Sequence, residues 1–150
     1  LRYRMQRLGI RDPGTDGEAW LAGARRVPSP NSDSRPSGTA IDLLLLHSIS
    51  LPRGTYGKPG GGHSIERLFT NRLDPAERPE FADLAGLRVS SHFLIYRDGT
   101  LVQFVPLERR AWHAGASRWR GRERCNDFSI GLEIEGTDGT GLRARFEAEG

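Results

Sequence analysis

Four stretches of the chain carry apolar patterns that predict strands. Leu43-Leu44-Leu45-Leu46 is an unbroken leucine run, which predicts a strand near 42–47 buried on both faces. That strand ends on His47. Val89 to Tyr96 and Thr100 to Val105 flank Asp98-Gly99, a dipeptide that predicts a hairpin. Phe128 to Glu135 alternates strictly, placing Phe128, Ile130, Leu132 and Ile134 on one face and Ser129, Gly131, Glu133 and Glu135 on the other. On periodicity alone the two glutamates read as the polar face of an antiparallel strand with one side in water.

Helical spacing is confined to two short pieces. Ser64 is a candidate N-cap for Ile65, Leu68 and Phe69, predicting a helix near 64–71. Asp74-Pro75-Ala76-Glu77 resembles a capped start, and Phe81, Leu84 and Ala85 predict a second helix near 76–85 that Gly86 stops. Between the leucine strand and the first helix, Pro52 to Gly62 is too glycine-rich for regular structure and reads as a mobile rim loop. Residues 116–127 read as polar loop. The fold class this predicts is α/β: a central mixed sheet with flanking short helices. Turn formers dominate residues 1–17, so the expected division is an extension over 1–17, one domain over 18–138 and a divergent tail over 139–150.

Composition narrows the class. A chain of 150 residues has room for one domain with a real core. No apolar run approaches the ~20 residues that span a bilayer, so no membrane role is expected. One cysteine, Cys125, cannot form an internal disulfide and fits a reducing compartment, so a cytoplasmic location is expected. The formal charge of +3 comes from 22 basic and 19 acidic residues with the signs interleaved, a poor footprint for nucleic acid.

The candidate chemistry rests on four histidines and the glutamate pair. His47, at the end of a core strand, is either a rigidly held metal ligand or proton-transfer group, or a strand cap bonded to a neighbouring loop. His63 reads as a solvated loop residue, His92 as a satisfied core imidazole. His113 follows Trp112 in a turn and could line a pocket. No two histidines have the i, i+4 spacing of a metalloprotease helix, so any metal site must be assembled from distant segments. There is no G-x-S-x-G elbow, and Cys125 has no histidine near it in sequence.

Taken together, Leu46-His47-Ser48-Ile49-Ser50, Arg97-Asp98-Gly99, Arg110-Ala111-Trp112-His113-Ala114-Gly115 and Cys125-Asn126-Asp127-Phe128-Ser129-Ile130-Gly131-Leu132-Glu133-Ile134-Glu135 resemble the zinc-dependent N-acetylmuramoyl-L-alanine amidases of the AmpD-like type. The resemblance is nearly continuous from about Ala19 to Asp138. It implies that His47 is a Zn2+ ligand and that Glu133 acts on the metal-activated water. It also implies that Trp112 and His113 wall the pocket, with the Gly57 to Gly62 loop beside them. The implied substrate is an anhydromuropeptide from recycled cell wall, cut between N-acetylmuramic acid and L-alanine.

The family pattern goes on to a helix, a second histidine ligand, an aspartate ligand and a lysine. From Gly139 this chain instead reads Gly-Thr-Gly-Leu-Arg-Ala-Arg-Phe-Glu-Ala-Glu-Gly, and its single lysine is Lys58. Three expectations follow from that difference: a truncated or frame-shifted amidase with weak zinc binding, recruitment of His63, His92 or His113 as substitute ligands, or a shortened relative that only binds muropeptide. With the family's C-terminal helix and ligand segment missing, one sheet face should be partly bare and prone to self-association.

Overall fold

A computed structural model describes residues 18–57 and 62–137. The expected extension at 1–17, the tail at 139–150 and residues 58–61 of the glycine loop lie outside the described residues. In chain order the elements are β1 (Arg25–Arg26), β2 (Ser32–Ser34), β3 (Leu43–Ile49), α1 (Gly62–Phe69), a 3-10 turn at Pro79–Phe81, β4 (Phe93–Ile95), β5 (Leu101–Gln103), β6 (Arg109–Ala111), β7 (Arg118–Trp119), β8 (Arg122–Glu123), a second 3-10 turn at Cys125–Asp127, and β9 (Ser129–Glu135).

Five strands form the central sheet in the order β1-β5-β4-β9-β3. Strand β9 pairs in parallel with both β3 and β4, β4 pairs antiparallel with β5, and β1 pairs in parallel with β5. The sheet is therefore mixed, as the sequence predicts. The predicted hairpin is the β4–β5 connection: Gly99 takes φ +85° and its N–H donates to the Tyr96 carbonyl at 2.9 Å. Strands β2 and β6 make a separate antiparallel pair, as do β7 and β8.

Side-chain alternation and register define two faces. On one, Leu43, Leu45, His47 and Ile49 stand beside Ser129, Gly131, Glu133 and Glu135, followed by Leu94 and then Val102. Helix α1 covers this face, packing Ile65, Leu68 and Phe69 with Phe81, Leu94, Val102 and Phe104. Phe69 and Phe104 meet edge to face, with centroids 5.1 Å apart. Glu66, buried on α1, binds the Arg25 guanidinium and accepts the Tyr96 hydroxyl at 2.7 Å, which ties the helix to β1 and to the turn that follows β4. The chain leaves the helix after Phe69 through Asn71, in the left-handed region at φ 59°, and the Arg72 N–H closes back on the Arg67 carbonyl at 2.7 Å.

Several expectations are corrected. The leucine run is not buried on both faces: β3 is an edge strand, and Leu44 is 53% exposed on the face opposite α1. Leu46, Ile130, Leu132, Ile134, Phe93 and Ile95 on that face are only half-buried, so among the described residues one sheet face is partly bare, as expected. The glutamate-bearing side of β9 does not face water. Ser129, Glu133 and Glu135 are buried, because the strand sits between two parallel partners and its polar face points under α1 and the loops. The second helix is a single 3-10 turn at Pro79–Phe81, since prolines at 75 and 79 remove the amides that a continuous helix needs; Phe81 nevertheless faces inward with no exposure. Ser64 does not cap α1, which starts at Gly62. The polar loop at 116–127 contains the β7–β8 hairpin, whose turn residues Arg120 and Gly121 both have positive φ, 47° and 77°. An arginine where this turn type favours Asn or Asp hides it from a sequence reading.

Burial separates the two faces energetically. Leu94→Ala is expected to cost about 2–5 kcal/mol in denaturant unfolding, whereas Leu44→Thr should stay within about 0.5 kcal/mol. A comparable cost at both positions would mean that the face carrying Leu44 is covered.

Candidate active site

The parallel register sets His47 directly across from Glu133, on the face under α1. Glu133 is buried, and no described residue gives it a hydrogen bond or an ion pair. Burial alone raises its pKa to about 7. Two residues along the same strand, Glu135 is fully engaged: one carboxylate oxygen accepts the Gly57 N–H at 2.8 Å and the other the Arg97 N–H at 3.1 Å. The pair that looks equivalent in sequence thus divides into one carboxylate left free for chemistry and one that pins two loops.

His113 completes the cluster. Its Nδ1 lies 3.0 Å from His47 Nε2, and its Nε2 lies 3.1 Å from the Ser129 hydroxyl. The turn that carries it is held by Asn126, whose side-chain oxygen accepts the N–H groups of His113 and Ala114 at 3.1 and 2.9 Å. The ring rests on Gly131, where an added Cβ would come within 2.6 Å of the imidazole. Burial lowers the pKa of His47, and burial reinforced by the neighbouring His47, His92 and Arg35 charges lowers that of His113 to about 3. Both rings are neutral at pH 7 and so carry lone pairs.

His92 takes no part in this opening. Its Nδ1 accepts the Gly131 N–H at 3.0 Å, which fixes the proton on Nε2, and Nε2 donates to the Arg109 carbonyl at 2.9 Å. Burial drives its pKa down to about 4. It is the satisfied core imidazole expected from the sequence. Beside it the half-buried Arg35 donates to the carbonyls of Leu107, Asn126, Asp127 and Ser129, knitting the start of β9 to the segment before it. His63 is exposed on the first turn of α1, away from any bonded partner among the described residues.

A cleft of about 520 Å³ opens over the cluster, with Ile49, Phe69, Arg88, Trp112, His113 and Glu133 among its walls. Trp112 is fixed there by its indole N–H, which donates to Asp33 at 3.2 Å, while Arg110 holds the same carboxylate through two hydrogen bonds. His47 stands next to His113 and does not itself line the cleft. The sequence reading missed Asn126, Ser129, Gly131 and Arg35. The only signal for the first three was their place inside the long motif at 125–135.

A profile of the N-acetylmuramoyl-L-alanine amidase family matches residues 37–148, and the chain belongs to that family. Among its relatives is the 1,6-anhydro-N-acetylmuramyl-L-alanine amidase AmpD of Escherichia coli, 58% identical over 121 residues, or 81% of this chain and 64% of that protein. The protein of the same name from Haemophilus influenzae is 46% identical over 118 residues, covering 79% of this chain and 62% of that one. A crystal structure of a selenomethionine AmpD derivative superposes with a TM-score of 0.75 at 58% identity, covering 80% of this chain and 65% of that one. The solution structure of Citrobacter freundii AmpD gives a TM-score of 0.51 at 59% identity, covering 79% and 62%. The chain thus spans less than two thirds of the length of these relatives.

The free carboxyl gives the metal-free protein a pH signature. Below its ordinary pKa of 4.5, Glu133 is protonated in both folded and unfolded chains and contributes nothing. Between 4.5 and about 7 the unfolded chain loses the proton first, so stability falls as pH rises, and above 7 the full penalty stands. Glu133→Gln should therefore gain stability over wild type progressively from pH 5 to pH 8, reaching about 1–3 kcal/mol. Urea unfolding at the two pH values checks this; a difference that does not change with pH would refute it.

Proposed function

We propose that this chain is a zinc-dependent amidase that hydrolyses the amide between the lactyl group of N-acetylmuramic acid and L-alanine in 1,6-anhydromuropeptides, in cytoplasmic peptidoglycan recycling. Family membership and the activity named for its relatives support the reaction class. The observation that carries the reading is Glu133: an unpaired carboxyl with a pKa of about 7 in the wall of a cleft, in register with His47. A general base works best with a pKa near the working pH. No helix among the described residues is long and apolar enough to cross a membrane.

His47 fits a zinc ligand. Its ring is neutral, one nitrogen is held by His113, and the other takes no hydrogen bond from a described residue. No group of three or more His, Cys, Asp or Glu among the described residues could hold a metal ion, so His47 is the one ligand assigned. Zinc, when bound, supplies an activated water and Lewis acidity toward the amide carbonyl. The protein's own contributions are separate. Glu133 accepts the proton of the attacking water on its carboxylate and returns it to the departing L-alanine nitrogen. Trp112 and His113 wall the cleft that seats the muropeptide. Glu135 accepts the Gly57 N–H and so fixes the chain where the glycine-rich loop begins.

The incomplete ligand set among the described residues favours a second reading, a muropeptide-binding protein without turnover. Zinc content and release of L-alanine-containing peptide from an anhydromuropeptide separate the two. The amidase reading expects one zinc per chain, lost in His47→Ala, and turnover that falls by at least about 100-fold in Glu133→Gln with zinc retained. Muropeptide binding with no product would support the second reading, and neither zinc nor binding would overturn both.

A further inference from the structure

Two sets of contacts act on Trp112, and they do different things. The first fixes its backbone. The Trp112 N–H donates to Ser90 Oγ at 3.0 Å, and the Ser90 N–H donates to the Trp112 carbonyl at 3.0 Å. Ser90 is buried and anchored in turn, its hydroxyl donating to the Asn31 carbonyl at 2.6 Å. These bonds place the Cα of Trp112 and leave its ring free to turn. Rotation of an indole about its Cβ–Cγ bond is broad and roughly two-fold, so a ring in one slot has two orientations open to it. One group distinguishes them: Asp33 Oδ1, which accepts the indole N–H at 3.2 Å and is its sole partner among the described residues. The flipped ring would carry its N–H on the opposite edge, away from that carboxylate.

Asp33 is itself held in one pose. In the antiparallel pair of β2 and β6 it stands directly across from Arg110. There Arg110 Nε donates to Asp33 Oδ1 at 2.8 Å and Nη2 donates to Oδ2 at 2.6 Å. The remaining nitrogen, Nη1, donates to the buried Asp127 ahead of β9. A guanidinium fork gripped at both ends leaves the Asp33 carboxylate little freedom, and an ionised acceptor makes the stronger hydrogen bond. Satisfying the indole N–H does not by itself require this arrangement, because Trp112 is half-buried and water could serve. What water cannot supply is a fixed direction.

We propose that Asp33 is a positioning residue: through its hydrogen bond to the indole N–H it selects the ring orientation that Trp112 presents to the cleft, and thereby sets the affinity for muropeptide. The inference rests on the reading of this cleft as the muropeptide site.

The test is 19F NMR of the full chain labelled with 5-fluorotryptophan, with the Trp112 signal assigned by its absence in Trp112→Phe, alongside titration with a 1,6-anhydromuropeptide. Wild type should give one Trp112 signal. Asp33→Val, which keeps a strand-forming residue, should split that signal or broaden it, and should weaken muropeptide binding by about 3–10-fold as the share of the competent orientation falls. Asp33→Asn, which retains an acceptor oxygen, should restore the single signal and most of the affinity. In Trp112→Phe, which has no N–H to direct, Asp33→Val should cost no further affinity. Asp33→Ala repeats the test should Asp33→Val not fold. A single, unshifted Trp112 signal in these variants, or an affinity loss that persists undiminished in the Trp112→Phe background, would overturn the proposal. If the ring signals follow these expectations and wild type binds no muropeptide, the positioning of the ring stands and the muropeptide reading of the cleft falls.

Discussion

The seven-residue parallel register between β3 and β9 is the constraint on which the rest of this structure depends. Parallel pairing in this register puts residues from distant parts of the chain side by side on one face, so that His47 and Glu133, 86 positions apart, become direct neighbours. Because side chains alternate with period two, a slip of one residue would send the entire polar set of β9 to the opposite, half-exposed face. The register is held at its start by Arg35, which donates to the Ser129 carbonyl and to two carbonyls just before it. At its end, the Gly136 N–H donates to the Ile49 carbonyl at 2.9 Å.

Burying a polar strand face is costly unless its groups find partners. Here nearly all of them do. Ser129 meets His113, Gly131 gives its N–H to His92, and Glu135 takes two loop amides. Glu133 is the exception, and its raised pKa is the direct consequence. Exceptions of this kind, a titratable group desolvated without a charge partner in a cleft, are where chemistry is most often found. Structural polar groups and the candidate catalytic group therefore differ by satisfaction and not by residue type.

Much of the fold was legible in the sequence because it depends on local rules. The Asp98-Gly99 turn, the inward set Ile65, Leu68 and Phe69, and the alternation of β9 appear in the structure where the pattern put them. The short strands β1, β2, β6, β7 and β8 were not legible. Segments of two or three residues carry no period, and four of the five contain arginine. The candidate site was legible as a set of residues, through the family motif, but not as an arrangement. Nothing in the spacing of His47, His113 and Ser129 says that their side chains form a chain of contacts.

The sequence by itself determined the family, the class of fold and which strand carries two carboxylates, because alternation and motif are written along the chain. Only the tertiary structure decided which way that strand faces and which carboxylate is free. It also decided that Gly131 is required by a ring it touches and that the leucine strand lies at an edge. Those outcomes depend on which strands become neighbours and on what covers each face. Both are properties of contacts between segments far apart in sequence, where local periodicity has no reach.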